Sequence, residues 1–587
     1  MSVTNEEIAT QLYEIGKLLQ LAGENRFRVI AFERAAQTVE ALDEDINVYI
    51  ENDNLTDIKG IGSSIANDIK SYAETGSIEV LEKLREEIPQ GIRNWLKISG
   101  LGPKTIRKIH EELGISTTDE LREACKDGRV AGLEGLGKKS AENILKSIEW
   151  RDQFSDRVRL DEATELGEVL LQDLDKIEGV LEIALAGSLR RAKETIGDVD
   201  LLVGAEKEDI DLIFDAFVNH NRAAEVLGRG DTKSSIRTVD GRQADLRIVE
   251  PGKFPAALLY FTGSKEHNVV MRQRARNREM ALNEYGLFEL TEEGDTDFNR
   301  PVDYRSESDI YRHLDLHFIP PELREDRGEF EHFEQQESLN LVEEGDIRGV
   351  IHAHSTWSDG RFSIRRMAEA CIERGYEYLG ISDHSQTAAY AGGLTPDDVK
   401  AQWEEIDRLN EEFEENGEDF RIFKGIESDI LGDGSLDYED ALLEQFDFVI
   451  ASVHQGMDMP REKMMERFRN AIRHPLSHII GHPTGRLLLQ REESDLEMNE
   501  LIELAAEHNT AIEINANPKR LDLDWRHGNK AREMGLLSSV NPDAHGVESI
   551  DYIRYGVRIA RKGKFNPERI LNTRSAGELD KWFKMKK

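Results

Sequence analysis

Residues 187–200, GSLRRAKETIGDVD, decide the fold of the middle of the chain, because they separate two apolar runs that are predicted to be strands. Asp198 and Asp200 stand two positions apart at the start of the second run, so both side chains lie on one face of a sheet. Asp245, in the apolar stretch ADLRIV, can join them from a neighbouring strand. Three converging carboxylates repel one another unless divalent cations hold them together. We therefore predict a site for Mg²⁺ or Mn²⁺ here; the alternative is an exposed acidic turn.

Three segments of the first 150 residues repeat a second pattern, in which a Gly-apolar-Gly turn precedes a stretch with helical spacing of apolar residues. The glycines concerned are Gly60, Gly62, Gly100, Gly102, Gly135 and Gly137. A glycine turn that opens a helix exposes backbone N–H groups at the positive end of the helix dipole, which suits a phosphate. The repeat predicts three helix-hairpin-helix units that bind a nucleic-acid strand independently of its sequence. The alternative is that glycine only permits the sharp bend.

The last 240 or so residues alternate seven short apolar runs with helical patterns, which predicts a parallel sheet and is compatible with a barrel. Most of these runs end in His, Asp or Glu, at the end of the strand where barrel enzymes have their chemistry. The candidate metal ligands are His352, His354, Asp359, His384, Glu427, His454, His482, Asp543 and His545. Imidazole and carboxylate together favour Mn²⁺, Zn²⁺ or Fe²⁺, and nine donors suffice for two or three ions. Such a cluster activates water and binds a phosphate ester.

The composition limits the remaining possibilities. Lys and Arg total 76 against 116 Asp and Glu, a net charge of −40, which argues against a simple basic nucleic-acid binder but not against a local DNA site. The two cysteines, Cys125 and Cys371, fit a reducing cytoplasm, and no apolar run approaches the ~18 residues of a membrane span. The acidic residues are spread along the chain, which favours a surface adapted to high salt over an acidic tail; an ordinary acidic cytoplasmic protein is the alternative.

The hairpins, the GSLRRAKETIGDVD stretch and the segment YFTGSKEHN at residues 260–268 together resemble family X DNA polymerases. The resemblance implies that Gly187, Ser188 and Arg191 hold the triphosphate, that Tyr260, Phe261 and Gly263 line the sugar pocket, that Asn268 reaches the minor-groove edge and that Arg272 lies on the template side. The ligand set at the C-terminal end resembles the polymerase-and-histidinol-phosphatase (PHP) domain, whose usual nine positions are all filled. Arg486, Lys519 and Arg520 are further candidates for contact with a phosphate.

The resemblance implies a multidomain α and α/β protein. The predicted parts are a helical DNA-binding region at 1–150, a nucleotidyltransferase palm at 151–250, a thumb at 251–320, a polar linker at 321–345 and a distorted seven-stranded barrel at 346–575. Family members with deoxyribose-phosphate lyase activity carry a lysine after the first hairpin. Ser64 and Asp68 stand at those positions and Lys70 is two residues away, so we predict no lyase activity by that route.

These expectations combine into a cytoplasmic, monomeric repair enzyme. It is predicted to fill short gaps during base excision repair, with gapped or primed DNA and deoxynucleoside triphosphates as substrates and no membrane partner. The barrel is predicted to add 3′→5′ exonuclease activity, and the resemblance also allows cleavage at abasic sites. Two alternatives belong to other classes: a small-molecule phosphatase of the histidinol-phosphate type with a DNA-recruiting N-terminal half, and a DNA-binding adaptor without catalysis.

Overall fold

The computed structural model describes residues 3–40, 42, 45–96, 98, 101–153, 157–335 and 339–586. The chain divides into two compact units. One consists of Met1–Ser155 with Leu489–Arg491, and the other of Asp156–Leu488 with Glu492–Lys587. Gly100, a predicted hairpin glycine, lies outside the described residues.

The first unit is helical. Its helices are α1 (Asn5–Ala22), α2 (Arg26–Glu40), α3 (Ile46–Glu51), α4 (Ser63–Thr75), α5 (Glu79–Glu87), α6 (Gln90–Trp95), α7 (Pro103–Leu113), α8 (Thr118–Lys126) and α9 (Lys138–Gln153). Helix α1 begins at a capping box formed by Thr4 and Glu7 and ends at Gly23, where the backbone turns left-handed. Apolar residues at helical spacing, such as Ile65 and Ile69, are buried in one common core.

The predicted hairpins are present, but the first helix of each is short. Residues 55–57 and 130–132 form only 3₁₀ turns before the glycines, and α6 has 6 residues. The second helices, α4, α7 and α9, are full α-helices, and Gly62 and Gly102 are the N-caps of α4 and α7. Gly60 and Gly135 have φ of +102° and +81°, a conformation that favours glycine. The helix-hairpin-helix prediction is thus confirmed, with one long helix per unit.

The second unit begins with an α+β domain around a five-stranded sheet. Its elements are β1 (Val158–Arg159), α10 (Leu160–Leu174), β2 (Glu182–Leu185), α11 (Gly187–Arg190), β3 (Thr195–Ile196), β4 (Asp198–Gly204), α12 (Ile210–Val218), β5 (Ala223–Arg229), β6 (Lys233–Thr238) and β7 (Gln243–Val249). The strand order is β2-β4-β7-β6-β5, and β4 and β7 run parallel. The predicted strands β2, β4 and β7 are confirmed. The hairpin β5–β6 was not predicted from the sequence, and β5 is largely exposed.

A smaller α+β region follows, with a three-stranded antiparallel sheet in the order β10-β9-β8. Its elements are α13 (Phe254–Thr262), α14 (Lys265–Arg276), β8 (Met280–Asn283), β9 (Gly286–Leu290), β10 (Thr296–Pro301), α15 (Glu307–His313) and α16 (Glu329–Gln335). The prediction of a polar linker at 321–345 is wrong for residues 321–335. Arg324 and Glu329 are fully buried, and Phe330 and Phe333 belong to the core of this region. The stretch was predicted to be a linker because its many acidic residues outweigh these few apolar ones in the composition.

The C-terminal part is a parallel barrel whose seven strands follow one another in chain order. The strands are β11 (Gly349–Ala353), β12 (Tyr378–Ile381), β13 (Arg421–Asp429), β14 (Phe448–Ser452), β15 (Ile479–Ile480), β16 (Ala511–Asn515) and β17 (Ser538–Asn541). The helices are α17 (Ile364–Glu373), α18 (Pro396–Glu415), α19 (Asp440–Leu443), α20 (Arg461–Arg473), α21 (Met498–Glu507), α22 (Gly528–Met534), α23 (Ile553–Lys562) and α24 (Ala576–Lys586). A bridge between Ala353 and Ala544 nearly closes the barrel at the C-terminal end of its strands. The predicted strands and barrel are confirmed.

The five-stranded sheet and the barrel share one continuous apolar core. Within the residues that the structure describes, no helix is both long and apolar enough to cross a membrane.

Candidate active sites

The first candidate site lies on the five-stranded sheet, where β4 and β7 begin. Parallel pairing places Asp200 directly opposite Asp245, and Asp198 lies two residues earlier on the same face. Carboxylate oxygens of the three aspartates lie within 4.8 Å of one another. The structure therefore brings together all three predicted carboxylates.

The three carboxylates repel one another, and Lys233, bonded to Asp245, only partly balances their charge. Burial, together with the negative charges of Asp198 and Asp245, raises the pKa of Asp200 to about 7. Burial would also raise the pKa of Asp245, but hydrogen bonds from Lys233 and its neighbours outweigh burial and lower it. A divalent cation removes such repulsion, so the donor set fits Mg²⁺ or Mn²⁺.

The turn at Gly187 and Ser188 lies against the carboxylates. The backbone N–H of Ala186 donates to the carbonyl of Asp200 at 2.8 Å. A Cβ atom on Gly187 would lie 2.0 Å from Oδ2 of Asp200, and the φ of Gly187 is +58°. Any other residue would have to displace the carboxylate, so glycine is a steric requirement of this site.

The other residues predicted to bind the nucleotide lie on α13 and α14, which Arg191 connects to this turn. Arg191 donates from Nη1 to the carbonyl of Thr262 at 2.5 Å, which joins the turn to the end of α13. Asn268 donates from Nδ2 to the carbonyl of Tyr260 at 2.7 Å, and its Oδ1 is buried without a hydrogen-bond partner. The rings of Tyr260 and Phe261 meet edge to face at 5.2 Å. Gly263 ends α13 with φ +72°, and Arg272 is exposed on α14.

The second candidate site lies at the C-terminal ends of the barrel strands and contains all nine predicted ligands. Glu427 is at the centre. Its carboxylate oxygens lie 3.6 Å from Nε2 of His352, 3.6 Å from Nε2 of His354, 3.0 Å from Nδ1 of His384, 3.2 Å from Nε2 of His454 and 3.0 Å from Nε2 of His482. Asp359 lies 3.3 Å from Nε2 of His545, and Asp543 lies 3.3 Å from Nε2 of His354. One connected cluster of imidazoles and carboxylates results.

The ring nitrogens of this cluster fit metal ions. Nε2 of His352, both ring nitrogens of His354, and Nδ1 of His384 and His482 are buried without hydrogen-bond partners among the described residues. Such atoms are costly in a protein interior unless they bind an ion. Burial, with His545 and His384 nearby, lowers the pKa of His354 to about 3, so this ring is neutral, which is the form that binds metals.

Comparison with known proteins places these two sites in a family. Family models match residues 3–78 (helix-hairpin-helix domain), 92–149 (SAM-like helix-hairpin-helix tandem), 157–230 (DNA polymerase beta palm), 257–325 (DNA polymerase beta thumb) and 351–517 (PHP domain). The chain is 40% identical to the DNA polymerase/3′-5′ exonuclease PolX of Bacillus subtilis (strain 168) over 581 residues, 99% of each protein. The chain belongs to the family X DNA polymerases with a C-terminal PHP domain.

Two relatives match parts of this family X polymerase. DNA polymerase lambda of Rattus norvegicus is 24% identical over 299 residues, which is 48% of this chain and 49% of that protein. A probable phosphatase of Thermoanaerobacter sp. (strain X514) is 26% identical over 248 residues, 40% of this chain and 94% of that protein. The chain thus has similarity both to a polymerase and to a protein named as a phosphatase.

Several residues of the PHP site of this family X polymerase were missed in the sequence. Glu513 on β16 is fully buried and accepts from His352 Nδ1 at 2.6 Å and from the backbone N–H of His482 at 2.7 Å. Asp429 accepts from Nδ1 of His454 at 3.1 Å. Carboxylates that orient histidine ligands in this way also fix which ring nitrogen is free. A charged residue within the apolar run AIEIN was the available signal for Glu513.

The polymerase site also contains residues that the sequence pattern did not indicate. Lys233 on β6 places Nζ 2.5 Å from Oδ2 of Asp245, and Gln243 donates to Oδ1 of Asp245 at 3.0 Å. Arg247 lies over the ring of Phe261 at 4.3 Å. Lys233 could not be predicted from the sequence, because its position in the site depends on the pairing of β6 with β7, which was not predicted either.

The three candidates for phosphate contact in the barrel differ from one another. Arg486 is buried, pairs with Asp524 and donates from Nε to the carbonyl of Arg520 at 2.8 Å, so its guanidinium is engaged within the protein. Arg520 has Nε 3.6 Å from Oδ2 of Asp543, and its Nη1 is buried without a hydrogen-bond partner. Lys519 is exposed. Of the three, Arg520 adjoins a predicted metal ligand, Asp543.

Proposed function

We propose that this family X polymerase extends the 3′ end of a DNA primer and fills short gaps during base excision repair, acting as a monomer. The observation that carries the proposal is the cluster of Asp198, Asp200 and Asp245 within 4.8 Å, beside a turn at which only glycine fits. The Bacillus relative, with which it shares almost its whole length, is named as a DNA polymerase. Deoxynucleoside triphosphates are the proposed second substrate.

The three aspartates would hold Mg²⁺ or Mn²⁺. When bound, these ions lower the pKa of the primer 3′-hydroxyl and neutralise the leaving pyrophosphate. The hydroxyl of Ser188 and the guanidinium of Arg191 would bind the triphosphate, the latter through its planar fork of donors. Tyr260, Phe261 and Gly263 would line the sugar pocket, Asn268 would contact the minor-groove edge of the new base pair, and Arg272 would contact the template.

The test is extension of a primed template by a variant with Asp198→Ala and Asp200→Ala. We expect loss of extension with exonuclease activity preserved, because the substitutions remove only ligands of the sheet site. Asp211→Ala with Asp215→Ala is the matched control, since these exposed aspartates of the same domain pair only with Arg229 among the contacts described. Normal extension by the first variant would refute the assignment.

In the barrel, the proposed activity is removal of nucleotides from DNA 3′ ends, with cleavage at abasic sites by the same centre. Glu427 and the eight other candidate ligands of the cluster support it, and the Bacillus relative is named as a 3′-5′ exonuclease. The nine residues would hold two or three Mn²⁺, Zn²⁺ or Fe²⁺ ions. When bound, such ions activate a water molecule and stabilise the charge of a phosphodiester. Arg520, beside Asp543, would contact the phosphate.

The test of the barrel is a variant with His352→Ala and His354→Ala, compared with His474→Ala, a histidine outside the cluster that pairs with Asp440. We expect the first variant to lose bound metal and the shortening of a DNA 3′ end, while extension continues. Cleavage of an abasic duplex and of free phosphate monoesters should be measured in the same preparations. Preferential hydrolysis of the monoesters would favour a small-molecule phosphatase.

The hairpins of the first unit are proposed to hold the DNA backbone. Gly62 and Gly102 cap α4 and α7, and their backbone N–H groups need no basic side chain to contact a phosphate. Gly60, Gly135 and Gly137 would act in the same way, and so would Gly100. This mode of binding suits a protein with a net charge of −40. Replacing Gly62 with aspartate should weaken binding to gapped DNA and leave hydrolysis of free nucleotide substrates unchanged.

A further inference from the structure

Helix α23 of the barrel carries a row of basic residues toward the polymerase domain. Arg554, Arg558 and Lys562 follow one another at four-residue spacing and therefore share one face of the helix. Arg558 donates from Nη2 to the carbonyl of Leu189 at 2.6 Å, and Arg554 lies 3.5 Å from the carboxylate of Glu168. This face thus contacts the turn that follows Gly187 and Ser188.

Lys562 is the most deeply buried of these residues, with 2% of its surface exposed. Its ammonium group donates to the carbonyl of Arg191 at 2.8 Å, to the carbonyl of Glu322 at 2.9 Å and to Oε1 of Glu325 at 2.7 Å. An ammonium group has three protons, so all of its donors are used. Such burial is unusual for lysine and requires partners of this kind.

The carboxylate of Glu325 contacts basic residues of both the polymerase domain and the barrel. Its carboxylate lies 3.2 Å from Nε of Arg191 and 3.6 Å from Nζ of Lys193, in addition to Lys562. Arg191 is therefore engaged by a carboxylate, and a triphosphate must compete with Glu325 for its guanidinium. The ammonium group of Lys562 binds the same carboxylate, which weakens the electrostatic attraction between Glu325 and Arg191. Its hydrogen bond to the carbonyl of Arg191 also fixes the backbone at that residue.

The helix that carries Lys562 packs closely against the barrel strands. A Cβ atom on Gly556 would lie 2.5 Å from Cβ of Ala516 and 2.6 Å from Cγ1 of Val540, so α23 packs directly on β16 and β17. Strand β17 leads to the ligands Asp543 and His545. Helix α23 therefore contacts both the strands that lead to the PHP site and the nucleotide-binding turn.

We propose that Lys562 is a positioning residue through which the PHP barrel sets the nucleotide affinity of the polymerase site. It does so by holding the Arg191 backbone and by competing with Arg191 for Glu325. The inference rests on the proposed role of Arg191 in binding the triphosphate. It makes the barrel a structural part of the polymerase as well as the location of a second activity.

The experiment uses the full chain and measures primer extension while one deoxynucleoside triphosphate is varied. Lys562→Met should raise KM for the nucleotide about tenfold, equivalent to about 1.4 kcal/mol, and leave kcat within about twofold. Glu325→Gln should lower KM, because the competitor for Arg191 loses its charge. Lys562→Arg keeps the positive charge, so its KM for the nucleotide should stay close to that of the wild type. Exonuclease activity and the thermal unfolding midpoint are measured in parallel.

Lys530→Met is the matched control, since Lys530 is a partly buried lysine of the same barrel that pairs with Glu503. Unchanged KM in Lys562→Met and Glu325→Gln would overturn the proposal. Should Lys562→Met not fold, the direction of the KM change in Glu325→Gln decides. Absence of extension by the wild-type chain would instead refute the proposed function, and this inference with it.

Discussion

Replacing Gly187 with alanine is expected to abolish most polymerase activity without unfolding the protein. The new Cβ atom would lie 2.0 Å from Oδ2 and 2.9 Å from Cγ of Asp200. Real contacts of this kind are about 3.4 Å or longer, so the carboxylate has to move by more than about 1 Å. The carboxylate of Asp200 cannot move toward residue 187, and a movement away from it is opposed by the carboxylates of Asp198 and Asp245.

The size of the effect follows from two separate costs. The backbone of residue 187 has φ +58°, and a left-handed conformation costs an L-residue about 1–2 kcal/mol of folding stability. A reacting group displaced by about 1 Å loses about a hundredfold in rate, or about 2.7 kcal/mol of transition-state stabilisation. We therefore expect kcat/KM for extension to fall about a hundredfold, with only a moderate loss of stability.

The assay compares primer extension, exonuclease activity and thermal unfolding in Gly187→Ala and Gly252→Ala. A Cβ atom on Gly252, in the same domain, meets no atom of the described residues within 4 Å, and its φ is not in the left-handed region. The control should therefore match the wild type in all three measurements. Extension by Gly187→Ala within about threefold of the wild type would refute the steric argument. Equal losses of extension and exonuclease activity would point to unfolding.

Three further predictions concern metal binding, acid stability and salt. Glu513→Gln should weaken Mn²⁺ binding, measured by calorimetry, about 10–100-fold while extension is retained, because a neutral amide replaces the carboxylate that accepts from His352 Nδ1. Although Glu307 is buried, Arg324 and Arg190 lower its pKa to about 2, so Glu307→Gln should cost about 3 kcal/mol in urea unfolding at neutral pH. This difference should be complete above about pH 4.5, the ordinary pKa of the group, and shrink as the pH falls toward 2; a constant difference would contradict it. With a net charge of −40, the thermal unfolding midpoint should rise steeply as KCl increases toward about 1 M, where the Debye length is ~3 Å, and a flat profile would exclude adaptation to salt.

Local patterns in the sequence determined the elements and most of both sites. The barrel could be predicted because apolar runs that alternate with helices are typical of parallel strands, and the carboxyl ends of such strands meet at one edge. His352 and Glu427 were therefore expected at the same end of the barrel although they stand 75 positions apart in the sequence. The two-residue spacing of Asp198 and Asp200 determined their common face, and the Gly-apolar-Gly turns determined the hairpins.

Only the tertiary structure decided which charged side chains are buried, because their burial depends on partners that are distant in the sequence. Arg324 and Phe333 lie in an acidic, polar stretch that predicted a linker, and they are buried because Glu307 and the neighbouring apolar core receive them. Lys562 reads as a surface lysine at the end of a helix, yet it donates to the carbonyl of Arg191, 371 residues earlier. A charged residue can be buried only where opposite charges and carbonyl groups from distant segments meet it. Periodicity, which reports on neighbours a few residues apart, contains no information about such partners.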